Sequence, residues 1–334
     1  MTSRPVQIVR DVDRFQRRHP VVGYPLAVIY KFFDDQGPFL AAIISFYAFI
    51  AIFPLLLIST SILGFFLQDD PALRDRLLDT ALSQFPIVGD QLGRPEGLQG
   101  STGAIIIGAI VATYGSLNLG QASQNAANVT WAVPRNSRTN AVLQRLRSLV
   151  LVSFAGLGIL TLAVASSVLA NPDAIGVDPG DLSWAIRIVG FLVTSAIFVG
   201  LFRLVSGGRA STRSVLPGAF TVSVLWQLLQ LVGNSFVTNV IGAAEQQMNQ
   251  TFALVLGLVA FLYLTGLMIV IGLEINVVLR RHLYPRALLT PFTDNVSPTE
   301  ADLKAYTGYA KSQRHKGFQS IESTFEKRPK DPPR

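Results

Sequence analysis

FLAAIISFYAFIAIFPLLLISTSILGFFL, running from Phe39 to Leu67, is 29 residues long and carries no charged side chain. Wound as an α-helix it would extend about 43 Å, against about 30 Å for the hydrocarbon core of a bilayer. Inside lipid, a helix satisfies the backbone N–H and C=O groups of such a segment without outside partners. The stretch therefore reads as a membrane span, and the chain as an all-α polytopic membrane protein. Pro54 sits in its interior, where the missing N–H and the ring's push on the carbonyl of Ile50 predict a kink. Ser59, Thr60 and Ser61 can satisfy backbone groups freed there.

The remaining sequence agrees. Half of the 334 residues are hydrophobic and only 15% are charged, where a soluble chain averages nearer ~25%. Mean hydropathy is positive and the isoelectric point is ≈ 9.9. The net charge of +7 reads as a Lys- and Arg-decorated cytoplasmic face that favours anionic lipid, rather than as a nucleic-acid surface. There are no cysteines, which excludes disulfides, thiolate metal sites and a Cys nucleophile. The opening MTSRPVQIVRDVDRFQRRHP lacks the apolar core of a signal peptide, so insertion is expected to rely on the spans themselves.

Residues 1–38 read as a cytoplasmic N-terminal region of two short amphipathic helices lying along the membrane. Val9, Val12 and Phe15 share a face in the first, and Val22, Leu26, Ile29 and Phe33 recur at helical spacing in the second. Residues 39–285 are expected to form a transmembrane domain of six spans. The second begins near Thr102 and continues into a polar helix stopped by Pro134; the others are Ser148 to Ala170, Trp184 to Val205, Leu216 to Ala243 and Phe252 to Leu279. The acidic loop 68–101 is expected to carry an interfacial helix on the far side. Residues 286–334 read as a largely disordered basic cytoplasmic tail, with a short helix at Thr299 to Tyr306. With six spans, the alternating loops and ends collect 23 Lys and Arg on one side and 3 on the other. That asymmetry puts both termini in the cytoplasm.

Ionisable residues inside a span are costly and draw attention. Arg187 can snorkel to headgroups at the outer end of the fourth span. Arg203 and Glu274 fall at similar depth near the inner ends of the fourth and sixth, which makes an ion pair between them a candidate helix clip or gate. In the fifth span, Ser223, Gln227, Gln230, Asn234 and Thr238 are spaced 4, 3, 4 and 4 apart and so share a face. Amides on such a face must meet other helices, water or a ligand. Polar glue between helices and the lining of a hydrophilic path both fit this pattern.

Three segments resemble the YihY/BrkB family of bacterial inner-membrane proteins, once labelled ribonuclease BN: FYAFIAIFPLLL (Phe46 to Leu57), the Asn128-Val-Thr-Trp131 turn, and GLEIN (Gly272 to Asn276). The likeness covers roughly residues 30–285. It implies a six-helix protein of the bacterial plasma membrane with cytoplasmic termini, and it marks Tyr47, Phe53, Pro54, Asn128, Trp131, Gly272, Glu274 and Asn276 as structural or site positions. The ribonuclease label does not suit the chemistry. His19, His282 and His315 are scattered, and Asp34-Asp35 precedes a Gly-Pro turn that explains it as capping. No GxxxxGK[ST] loop is present. No catalytic, metal or cofactor site is expected. The leading expectation is a transporter- or flippase-like protein moving a small polar or amphiphilic molecule along the fifth span's polar face, past Glu274 and Asn276. The alternative is a scaffold that organises lipids or partner proteins, with a homo-oligomer allowed by either reading.

Overall fold

The computed structural model describes residues 4–66, 102–170, 179–236, 247–288 and 297–325. Among these are nine α-helices and no β-strand. Two amphipathic helices open the chain, the basic α1 (Arg4–Arg18) and the more apolar α2 (Pro20–Asp34). Gln36, with φ +58°, turns the chain into α3 (Gly37–Phe66), which continues through Pro54. The segments Val21–Asp34 and Gly37–Ile52 are bent by 67° at that turn. Then follow α4 (Thr102–Thr130), α5 (Ala141–Ala170), α6 (Pro179–Val205), α7 (Thr212–Phe236), α8 (Gln247–Arg281) and α9 (Glu300–Ser312).

Among the described residues, four segments are long and apolar enough to cross a bilayer: Ala141–Leu162, Ile188–Val205, Thr212–Gly233 and Val255–Arg281. The bent α2–α3 pair brings the number to five if it forms one span. Six helices pack in chain order, α3 on α4, α4 on α5, α5 on α6, α6 on α7 and α7 on α8, and α8 returns to α3 to close a ring. Small residues let neighbouring backbones approach at the joints of this ring. At Gly218 of α7, an added Cβ would overlap the carbonyl of Gly272 on α8, and at Gly266 it would meet the backbone of Ala41 on α3 at 2.7 Å.

Helix boundaries depart from expectation for local reasons. α5 begins at Ala141 rather than Ser148, because the Asn140 side chain accepts the N–H of Leu143 at 2.8 Å and starts the helix about two turns earlier. Arg145 and Arg147 thereby lie within the helix, not in a loop. α6 similarly starts at Pro179, a residue suited to a first turn. The interfacial helix expected in 68–101 and the far end of the fifth span beyond 236 lie outside the described residues.

The tail differs most from expectation. Position 286 is no boundary, since Arg286 and Ala287 are buried. α9 begins in a capping box, with the Thr299 hydroxyl accepting from the Asp302 N–H and the Asp302 carboxylate accepting from the Thr299 N–H. The same carboxylate, 0% exposed, receives Arg286 Nε and the N–H of Ala287 (3.0 Å), fixing α9 to the chain that leaves α8. The short helix expected at Thr299 to Tyr306 is present as the longer α9 and is packed on the chain rather than free, whereas residues 313–325 form no helix or strand and those from 326 lie outside the described residues.

Candidate functional site

The ring lines a partly open cavity of ≈ 230 Å³ to which all six of its helices contribute. Ile44 and Ile52 come from α3, Leu119 from α4, Leu151 and Leu162 from α5, Phe198 from α6, Trp226 from α7 and Ile269 from α8, among others. No lining residue is ionisable. Three lining residues carry hydroxyls, and each donates to a carbonyl of its own helix: Ser123 to Leu119, Thr194 to Gly190 and Thr265 to Phe261, all at 2.9 Å. Their polarity is spent on the backbone, so the wall presented to an occupant is methyl, methylene and ring. Trp226 stands edge-on to Phe198 and Phe261, with centroids 6.3 and 5.9 Å away, and forms an aromatic side of the wall. Apolar cavities of this kind stay dry.

About 7 Å further along α8, at helical rise from Ile269, the character reverses. Glu274 is 0% exposed and Lys31 of α2 is 2% exposed. Lys31 Nζ lies 3.3 Å from Glu274 Oε2 and donates to Asp35 Oδ2 at 2.5 Å. One ammonium therefore serves two buried carboxylates, and it also lies 5.4 Å from the centroid of the Tyr309 ring on α9. Next to it, Arg286 joins Asp34 of α2 (3.0 Å) to Asp302 of α9. Burial on its own would lower the Arg286 pKa, but the hydrogen bond and charge of Asp302, then Asp34, hold it above the ordinary arginine value. Burial, followed by the charges of Asp35 and Asp34, pushes the Tyr309 phenol above its usual range, so it stays a neutral donor to Asp34 Oδ2 at 3.3 Å. Gln16 adds a bond from α1 to the Arg286 carbonyl at 2.6 Å. Helices α1, α2, α8 and α9 are thus tied together at one end of the ring.

The ion pair expected between Arg203 and Glu274 is not the one formed. Arg203 is exposed, and the cation beside Glu274 is Lys31. The fifth-span stripe, now on α7, is also divided. Ser223 is fully buried and donates to Ala219 of its own helix at 2.8 Å. Gln230 is half-buried, whereas Gln227 is exposed beside outward-facing Phe220, Val224 and Leu231. None of these stripe residues lines the central cavity; the neighbouring Trp226 does. The side chains of Phe53, Pro54, Arg187 and Asn234, and the whole of Thr238, lie outside the described residues.

Other motif residues are brought together at the ring's joints. Asn276 is buried, and its Oδ1 accepts the Gly218 N–H at 2.8 Å, a bond between α8 and α7. Gly272 packs where a Cβ would meet Val222 and Phe202. Half-buried Tyr47 packs on the core and sits edge-on to Phe46. Asn128 accepts the Val133 N–H through its backbone carbonyl, closing the turn that places buried Trp131. Sequence reasoning missed Lys31, Arg286 and Asp302, and the reading of Asp34-Asp35 as capping is corrected: Asp35 pairs with Lys31 and Asp34 with Arg286. The i, i+4 spacing of Lys31 and Asp35 was the one available signal, but it looks the same on a solvated helix. Among the described residues, no group of three or more His, Cys, Asp or Glu is placed to hold a metal ion.

Comparison with known proteins adds the following. A family profile described as Virulence factor BrkB matches residues 28–294. The inner membrane protein YhjD of Escherichia coli (strain K12) is 21% identical over 279 residues, covering 78% of this chain and 82% of that protein. No solved structure matches.

Proposed function

This chain belongs to the virulence factor BrkB family, and on that footing we propose that it is a multi-pass protein of the bacterial inner membrane which moves an amphiphilic molecule through its central cavity. Six spans are part of the proposal. To the four long apolar segments it adds α3, 30 residues without a charge, and α4, 29 residues whose first half is apolar. The 23-to-3 division of Lys and Arg supports cytoplasmic termini, and anionic lipid is the proposed partner of that basic face. No cofactor or covalent chemistry enters this reading.

The observation that carries it is the cavity wall. An apolar void of ≈ 230 Å³, left empty, would forfeit on the order of 5 kcal/mol of contact, so hydrocarbon is its natural filling. A small polar solute would find few hydrogen-bond partners there, the Trp226 indole N–H and the three hydroxyl oxygens aside. The wall therefore favours an amphiphile, its apolar part held among Leu162, Phe198 and Trp226, over the small polar molecule that the sequence left open. It also favours the interior over the outer face of α7 as the route. The knot at Lys31 and Glu274 would close the cytoplasmic end and must loosen for passage.

The test starts with mass spectrometry of amphiphiles that co-purify with the protein, followed by their movement across reconstituted vesicles. Ala155→Phe, which fills the cavity from α5, should reduce both retention and movement at least tenfold while the protein still folds. Wild-type protein that retains and moves no amphiphile would end this reading.

A second reading, the scaffold, rests on Gln227. An amide exposed on an otherwise apolar outward stripe costs a few kcal/mol against acyl chains, and a second copy of the chain could receive it. Gln227→Leu should then dissolve a homo-oligomer in lipid. The same change is expected to leave amphiphile movement intact if transport runs through the cavity.

A further inference from the structure

Beyond the ring, a recess of ≈ 200 Å³ opens between the C-terminal end of α8 and the covering helix α9. Its charged wall is entirely cationic, formed by Lys31, Arg281 and Lys304, while Tyr309, Gly308 and Ala132 help complete it; no carboxylate lines it. The three cations are not equivalent. Lys31 is committed to Asp35 and Glu274 behind the wall. Arg281 makes no ion pair among the described residues. Its guanidinium is nevertheless held in place, donating to the Trp131 carbonyl at 2.5 Å and lying 5.9 Å from the Trp131 ring centroid. That leaves other N–H groups of a fixed, planar, accessible fork without a carboxylate to receive them. Lys304 is 58% exposed, and its own partner, Glu300, is 3.9 Å away and 92% exposed. A pair that loose and that wet holds little.

We propose that this recess binds a phosphate-bearing anion, with the Arg281 fork and the Lys304 ammonium as its direct contacts. A phosphoryl group matches the fork with two parallel acceptors and brings the direct anionic partner that Arg281 lacks among the described residues, where the charge of Asp35 reaches it only through space. Gly308 helps by leaving room: a Cβ there would reach only ordinary contact with Ala132 at 3.8 Å and Arg281 at 4.0 Å. The phosphate can belong to a free phosphate or phosphomonoester, or to the headgroup of an anionic phospholipid at the membrane face where α8 ends. The site is separate from the cavity and does not depend on the transport reading.

Full-length protein in neutral detergent would be titrated with inorganic phosphate against chloride of matched ionic strength, following the thermal midpoint. In parallel, its midpoint would be compared in phosphatidylcholine nanodiscs with and without phosphatidylglycerol. Stabilisation by phosphate in detergent identifies a free-phosphate site, and stabilisation confined to phosphatidylglycerol discs identifies a headgroup site. In either case Lys304→Glu, on the exposed side of α9, should raise the half-saturating concentration or lipid fraction roughly tenfold or more. Arg281→Lys, which keeps the charge and loses the fork, should do the same. Equal responses of the wild type and both variants to each probe, or no response in the wild type, would overturn the proposal.

Discussion

Ile269 and Glu274 are five residues apart on one helix, yet they belong to interiors with opposite chemistry. Ile269 faces a cavity whose hydroxyls are all turned back on their own helices. Glu274 belongs to a knot of buried charge that ties four helices together. The contrast separates two jobs. The cavity wall gains from being interchangeable, since any hydrocarbon satisfies it. The knot gains from being particular, because each buried ion relies on a named partner and its loss leaves an uncompensated charge.

That difference can be broken most forcefully at Lys31. Lys31→Met leaves Asp35 and Glu274 buried without their ammonium and should destabilise the protein by about 3–5 kcal/mol in denaturant titration. Adding Glu274→Gln should recover part of the loss; a single mutant as stable as the wild type would show that the knot is not what closes this end. Asp302→Ala removes both the α9 cap and the partner of Arg286. About 3 kcal/mol of local stability should go with it, seen as protease cleavage in 297–325 under conditions where the wild type resists. Thr194→Val examines the other side of the comparison. Because that hydroxyl serves only Gly190 of its own helix, the cost should stay below about 1 kcal/mol, and a larger loss would mean that the wall is less interchangeable than its geometry indicates. Smallest of all, Arg14→Ala removes an exposed i, i+3 pair with Asp11 and should change stability by no more than about 0.5 kcal/mol.

The two regions were unequally legible in the sequence. Uncharged runs such as Phe39 to Leu67 announce helices that lipid can surround, because apolar length alone decides the matter. Glu274 also stood out, as a carboxylate within an apolar helix. Its partner did not, because sequence gives depth along a helix but not the azimuth between helices. Arg203 had the right depth and faces outward, while Lys31 came from a helix that read as interfacial. The α7 stripe failed for a related reason. Each step of four residues rotates about 40° around the axis, and the step from Ser223 to Gln227 crosses from the packed face to the outward one. Polarity and charge make the tail read as largely disordered, with only the short helix at Thr299 to Tyr306 standing out. What orders it is the burial of Asp302 against Arg286, a pairing across 16 positions that composition does not register. The cavity had no sequence signal at all, since its lining residues are those of any buried helix and only closure of α8 onto α3 makes them face one another.

The central claim, that hydrocarbon occupies the ring's interior, is open to one direct measurement: photo-crosslinking with an acyl chain bearing a diazirine near its end, followed by peptide mapping on protein in lipid. Adducts are expected on inward residues such as Ile159, Leu162 and Trp226, and Ala155→Phe should abolish them. Adducts confined to outward residues such as Phe220, Leu231 and Phe252, in the wild type and Ala155→Phe alike, would contradict it.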